Sequence, residues 1–277
     1  MGGLVAEFEG KVVLITGGSR GIGKRLALGF SARGARLVLV ARSKPELELT
    51  RLEIEQSGGS VLPIQADVRE FAQLQRAAEQ AEAHFGPIDV LVCAAAILGP
   101  TGPLAGLEPA AWRETIEVNL IGVFHACRVV LPRMVSRRSG KIIVLGGGGT
   151  MQARPNFSAY AASKTALVRL VETIAAEVGE FNVQANCLDP GPTYTHLTDE
   201  ILTAGERAGW REIEEARRAR LTGGTPPEHQ IELALFLASE RSNHVNGKLI
   251  HVADDWRRLT SGDIHPELLT LRRVRKV

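Results

Sequence analysis

Thr16-Gly17-Gly18-Ser19-Arg20-Gly21-Ile22-Gly23 follows directly on the apolar run Lys11 to Ile15 and opens into a segment with helical spacing. A strand passing through a glycine-rich turn into a helix is the arrangement that holds a pyrophosphate in dinucleotide folds. Gly17 permits the turn, Gly21 lets backbone approach a ligand, and Gly23 allows close packing of helix on strand. The free amides at the helix start favour an anion. Gly17, Ser19, Arg20, Gly21, Ile22 and Gly23 are therefore candidate cofactor contacts.

Outward from this turn the chain alternates between two kinds of segment. Short runs rich in Val, Ile and Leu (11–16, 36–41, 60–65, 90–93, 141–145, 183–188 and 248–252) predict seven strands. Between them, helical spacing covers 23–33, 44–57, 71–85, 109–135, 158–180 and 227–239. This alternation predicts a three-layer, doubly wound, Rossmann-like α/β fold: about seven mostly parallel strands with helices on both faces. The expected organisation is a single domain over 1–277. An insertion at 194–224, containing Trp210, reads as a helical lid, and 254–277 as a C-terminal extension.

Composition narrows the function. The 277 residues carry 33 Lys+Arg against 31 Asp+Glu, a net charge of +2, which argues against a nucleic-acid binder. The one basic concentration, Arg272, Arg273, Arg275 and Lys276, reads as a solvated tail. Cys93, Cys127 and Cys187 lack disulfide-framework or zinc spacing, and the seven histidines are scattered, so no metal site is expected. No signal peptide or membrane-length apolar run is seen, so a cytoplasmic protein is expected.

Dinucleotide folds place an acidic residue about 20 positions beyond the turn, where it bonds a ribose 2′-hydroxyl. Here that count reaches Arg42, beside Ser43, and the first carboxylate is Glu46. A guanidinium suits a 2′-phosphate, and Arg20 adds a second cation. NADP(H) is preferred on this count, with NAD(H) as the alternative.

Further on, Tyr160 and Lys164 stand at i and i+4, on one face of a helix. Bringing a phenol about three pH units toward neutrality takes roughly 4 kcal/mol, which a fixed ammonium and an oxidised nicotinamide could share. The chain has only two tyrosines, so this placement invites a chemical reading.

Taken together, Thr16 to Gly23, Asp67-Val68, Asn119, Tyr160-x-x-x-Lys164 and Pro190-Gly191 resemble the short-chain dehydrogenase/reductase family over about residues 9–252. The resemblance implies that Asp67 and Val68 hold an adenine and that Ala94, Ala95 and Ala96 pass beside its ribose. Pro190, Gly191 and Thr193 would frame the nicotinamide. Lys164 would bind the nicotinamide ribose and tune Tyr160, the acid/base, while Asn119 helps hold a water in a proton relay. It also implies a homotetramer or dimer formed through the long helices around Asn119 and Tyr160.

Three departures stand out. Ala94-Ala95-Ala96 replaces Asn-Ala-Gly, removing an amide that braces the sheet. Near the C-terminus Asp254-Asp255 replaces paired glycines, and the extension that follows could cover a neighbouring subunit's pocket. Most telling, the substrate-orienting serine 13 residues before the tyrosine is Gly147, within Gly146 to Gly149 and Thr150. Losing one preorganised donor costs about 2.7 to 4 kcal/mol of transition-state stabilisation. Glycine-run amides, the Thr150 hydroxyl or a polar group of the substrate are candidate replacements. Gly147, Thr150 and Tyr194 are candidate pocket residues, and a pocket widened at Gly147 suits a bulky or polyhydroxylated substrate.

The leading expectation is an NADP(H)-dependent oxidoreductase interconverting a secondary alcohol and a ketone. The alternative, a non-catalytic NADP-binding regulator, draws on Gly147. A nucleotide-sugar epimerase is disfavoured by the short stretch after Pro190.

Overall fold

The computed structural model describes residues 7–260 and 268–271. Seven strands form one sheet: β1 (Val12–Thr16), β2 (Arg36–Ala41), β3 (Ser60–Gln65), β4 (Ile88–Cys93), β5 (Gly140–Leu145), β6 (Val183–Asp189) and β7 (Leu249–His251). All pair in parallel in the order β3-β2-β1-β4-β5-β6-β7. β1 and β5 are buried at every position because helices cover both faces, which is why their sequences run apolar rather than alternating.

On one face lie α3 (Phe71–Phe85), α5 (Gly122–Ser136) and α6 (Ser158–Val178), whose Leu74, Ala78, Val123, Cys127, Leu167 and Val171 fill one core layer. On the other lie α1 (Gly21–Ser31), α2 (Lys44–Gln56) and α9 (Pro227–Ala238), which contribute Leu26, Phe30, Leu47, Ile54, Leu233 and Phe236. The predicted helix 109–135 is one continuous rod in three parts: α4 (Pro109–Ile116), a π turn (Glu117–Ile121) and α5. By length and apolarity alone this rod could cross a membrane, but half of its most apolar window is buried inside the protein.

The 194–224 insertion folds as α7 (His196–Ala204) and α8 (Trp210–Thr222). Ile201 and Ala204 of α7 and Ala216 of α8 join Leu98, Phe157 and Tyr160 in a third apolar cluster. At the other end of the chain, residues 268–271 lie along the outer edge of β7: Leu249 N–H donates to the Leu269 carbonyl (2.8 Å) and Lys248 Nζ to the Leu268 carbonyl (2.9 Å). The described part of the extension thus packs against the last strand of its own chain. The basic residues 272–277 fall outside the described residues. Asp254, where the paired glycines were missed, accepts a bond from His251 N–H (2.8 Å) and closes the turn after β7. The pairing of β1 with β4 also runs on through Ala94, whose N–H donates to Thr16 (3.0 Å).

The strand order reverses direction between β1 and β4, and the carboxyl ends of the strands at such a switch open a crevice.

Candidate active site

A cleft of about 1140 Å³ opens at that switch. Its floor at one end is the turn between β1 and α1. A Cβ on Gly23 would stand 2.2 Å from the Gly17 carbonyl oxygen, so the helix start can press against the turn only because this residue is glycine. Gly17, Ser19, Arg20, Gly21, Ile22 and Gly23 all line the cleft, as do Arg42, Ser43, Val68, Ala94, Ala95 and Ala96. This cradle, with the volume beside it, fits a dinucleotide.

Two nucleotide-end residues differ from expectation. Arg20 is not a free cation: its Nη1 lies 3.3 Å from Glu46 Oε1, and Ser19 Oγ donates to Glu46 Oε2 (3.1 Å). Counting along the chain put Glu46 beyond reach, but the first turn of α2, capped at Ser43, folds it back over the glycine loop. Arg42 makes no ion pair among the described residues. Asp67 does not line the cleft among the described residues, although Ala66 and Val68 do. Burial pushes its carboxyl up, but bonds from the Arg69 guanidinium and backbone N–H, with the nearby Arg42 charge, outweigh that and hold it below the usual range.

At the other end of the cleft, α6 presents Tyr160 and Lys164, both buried. The Lys164 ammonium donates to the Leu145 carbonyl at the end of β5 (2.8 Å) and sits 5.6 Å from the Tyr160 ring centre. Burial pulls it down to about 8, against the raising influence of Cys187, Asp189 and Cys93. Burial also pushes the Tyr160 phenol up, Arg154 pulls it down and Asp189 pushes it up.

Asn119 is fully buried in the π turn and does not line the cleft among the described residues. Its Oδ1 accepts from Ile97 N–H (2.9 Å), while Nδ2 donates to the Ile97 carbonyl (2.9 Å) and to Ser163 Oγ (3.1 Å). These bonds clamp the loop after β4 to α6.

Gly147 faces the phenol. Its φ is +151°, and a Cβ there would lie 2.9 Å from Tyr160 Oη, so this loop path excludes the serine of the resemblance. Thr150 Oγ1 donates to the Gly147 carbonyl (2.5 Å), which ties the loop and removes that hydroxyl as the substitute donor. The N–H groups of Gly147, Gly148 and Gly149 have no protein acceptor among the described residues. Tyr194 also turns away: its hydroxyl donates to Asp199 (3.1 Å), outside the cleft lining. Pro190, Gly191 and Thr193 line the cleft. Buried Gln230 fixes this loop by donating to the Pro190 carbonyl (3.0 Å) and Thr193 Oγ1 (2.6 Å).

Sequence reading missed Glu46, Gln230 and the pair Arg154–Glu212. That last pair joins the loop before α6 to α8 through Nε at 3.1 Å from both carboxylate oxygens and Nη2 at 2.6 Å. A lone arginine in a glycine- and proline-rich loop was the available signal for it. Among the described residues no group of His, Cys, Asp and Glu could hold a metal.

The pattern that defines short chain dehydrogenase matches residues 11–205. The chain is 32% identical over 242 residues to 2,3-dihydro-2,3-dihydroxybenzoate dehydrogenase of Bacillus subtilis, covering 86% of this chain and 92% of that one. Among solved structures, a gluconate 5-dehydrogenase from Burkholderia cenocepacia, in complex with NADP and tartrate, is 32% identical with a TM-score of 0.79, covering 90% and 95%. A 3-oxoacyl-[acyl-carrier protein] reductase from Brucella melitensis, with bound NAD, is 27% identical with a TM-score of 0.77, covering 90% and 92%. This chain belongs to the short-chain dehydrogenase/reductase family, whose members oxidise CH–OH groups and reduce C=O groups.

Proposed function

We propose that the protein interconverts a secondary alcohol and a ketone with NADP(H), Tyr160 exchanging the hydroxyl proton. The observation that carries this reading is the buried phenol at the cleft, one helical turn from Lys164 and facing the open loop at Gly147. Bound nicotinamide supplies the hydride acceptor or donor.

The chain's own residues do the rest. Tyr160 Oη takes the proton of the alcohol in one direction and returns it in the other. Lys164 would hold the nicotinamide ribose, and its charge opposes the cost of a buried phenolate. The glycine-run amides, lacking protein acceptors, can receive the substrate oxygen in place of a serine. Val68, which lines the cleft, would flank the adenine, and Pro190, Gly191 and Thr193 the nicotinamide, with α7 and α8 as a lid on the substrate.

NADP(H) is favoured by Arg42 and Arg20. Glu46 in the same corner weakens that preference, and the two dinucleotide-bound relatives divide between NADP and NAD. A polyhydroxylated substrate is favoured by the named substrates of the dihydroxybenzoate and gluconate relatives, whereas the loop at Gly147 lies too close to the phenol to widen the pocket. A homo-oligomer is supported by Phe71, Ile121 and Phe124, large apolar side chains left exposed on α3, the π turn and α5. Three free, buried cysteines fit a reducing cytoplasm.

Substituting Tyr160→Phe should lower NADPH-linked turnover of a polyol and ketone panel about a thousandfold. NADPH binding, followed by cofactor fluorescence, should survive. Undiminished turnover would overturn the acid/base assignment.

A further inference from the structure

The cleft contains a half-buried ion pair that the proposed chemistry leaves unused. Arg154 and Glu212 are only 15% and 16% exposed at their side chains, and the guanidinium is fixed on two further sides. Its Cζ lies 4.4 Å over the Phe157 ring and 5.4 Å from the Tyr160 ring centre. Lys164 Nζ is 5.6 Å from the same ring, so two cations flank the phenol at comparable distance.

We propose that Arg154 is a positioning residue for Tyr160, held against its ring by Glu212, so that α8 seated over the cleft completes the electrostatics of the acid/base group. This rests on the assignment of Tyr160 made above.

Three observations favour it. The pair is directional: Arg154 meets the phenol ring directly, while the Glu212 carboxylate reaches it only through Arg154. The other elements around the phenol offer little competing positive charge. Asp189 at the end of β6 opposes a phenolate, while α7 contributes apolar Ile201 and Ala204 and α8 contributes Ala216 beside Glu212. Finally, Lys164 is pulled down to about 8 by burial and loses its charge progressively as the pH rises through that value. A guanidinium stays charged throughout the working range of a protein. Arg154 is therefore the cation that persists where Lys164 fades.

The test needs no substrate. The chain has two tyrosines, so Tyr194→Phe leaves Tyr160 as its sole phenol, and tyrosinate absorbance then titrates that group alone. In this background Arg154→Gln should raise the midpoint by about one pH unit, the low end of what a nearby charge does. Arg154→Lys, which keeps the charge, should stay closer to the parent. Glu212→Gln should raise the midpoint by less than Arg154→Gln, because the guanidinium loses its anchor while the loss of the carboxylate's own charge works the other way. Thermal melting would confirm that each variant is folded, and Glu212→Gln carries the test should Arg154→Gln not fold.

A superimposable or lowered midpoint for Arg154→Gln, or an equal rise for Arg154→Lys, would overturn the electrostatic role. No rise in Glu212→Gln would overturn the part given to α8. The titration reads charge without turnover, so it fails or stands separately from the Tyr160→Phe experiment.

Discussion

The two ends of the cleft are built from different materials. At the nucleotide end the surface is largely backbone, and the identities of its glycines are forced by contacts as short as the 2.2 Å approach at Gly23. At the substrate end the surface is side chain: Tyr160, Lys164 and Arg154 from α6 and the loop before it, meeting Glu212 from α8. A backbone cradle tolerates no variation at a few positions and much elsewhere. A side-chain pocket can be rebuilt residue by residue, which is where this chain departs from its family at Gly147.

Beyond the Tyr160→Phe test of the substrate end, the largest effect should come from disturbing the backbone end. Gly23→Ala puts a methyl group on the Gly17 carbonyl, and overpacking of this kind costs about 1 to 3 kcal/mol. Chemical denaturation should show that loss, and NADPH affinity should fall about a hundredfold; unchanged binding would remove the contrast between the two ends. Next, Gly147→Ser tests whether the substrate end can be restored to the family pattern. With φ at +151° and a Cβ 2.9 Å from Tyr160 Oη, the new side chain should displace the phenol and lower kcat about tenfold; a rise would show that the loop relaxes. The smallest effect concerns Glu46, the side chain that intrudes on the backbone end. Glu46→Gln removes a carboxylate from the corner holding Arg20 and Arg42, and an exposed pair of this kind is worth up to about 1 kcal/mol. NADPH should bind about fivefold tighter by fluorescence titration, with NADH changed little; equal changes for both would place Glu46 outside the 2′-phosphate corner.

The same contrast explains what could be read in advance. The inner strands were legible because burial on both faces leaves uninterrupted apolar runs, as in the predicted 36–41, which coincides with β2; the half-exposed edge strand β3 coincides with 60–65 through its β-branched and aliphatic content. The glycine turn was legible because steric necessity writes glycine into the chain, and Tyr160 with Lys164 because a helix converts a spacing of four into adjacency. Arg154 and Glu212 are 58 positions apart in segments with no shared period, so nothing local connects them. Glu46 misled a linear count, since the turn of α2 decides where its carboxylate points. Asn119 was found at the right place, but only coordinates show that Ile97 and Ser163 consume its side chain. The π turn around it interrupts a sequence whose helical periodicity runs on unbroken.

One consequence lies far from the cleft. An outermost strand normally presents unsatisfied amides on which any extended chain can nucleate a further ladder. Here the Leu269 carbonyl takes the outward amide of Leu249 and the Asp254 carboxylate that of His251, while Leu271 anchors the segment to Arg169 and Glu172 of α6. With both outward donors of this short strand engaged inside the same molecule, β7 offers no spare amide on which a further ladder could start.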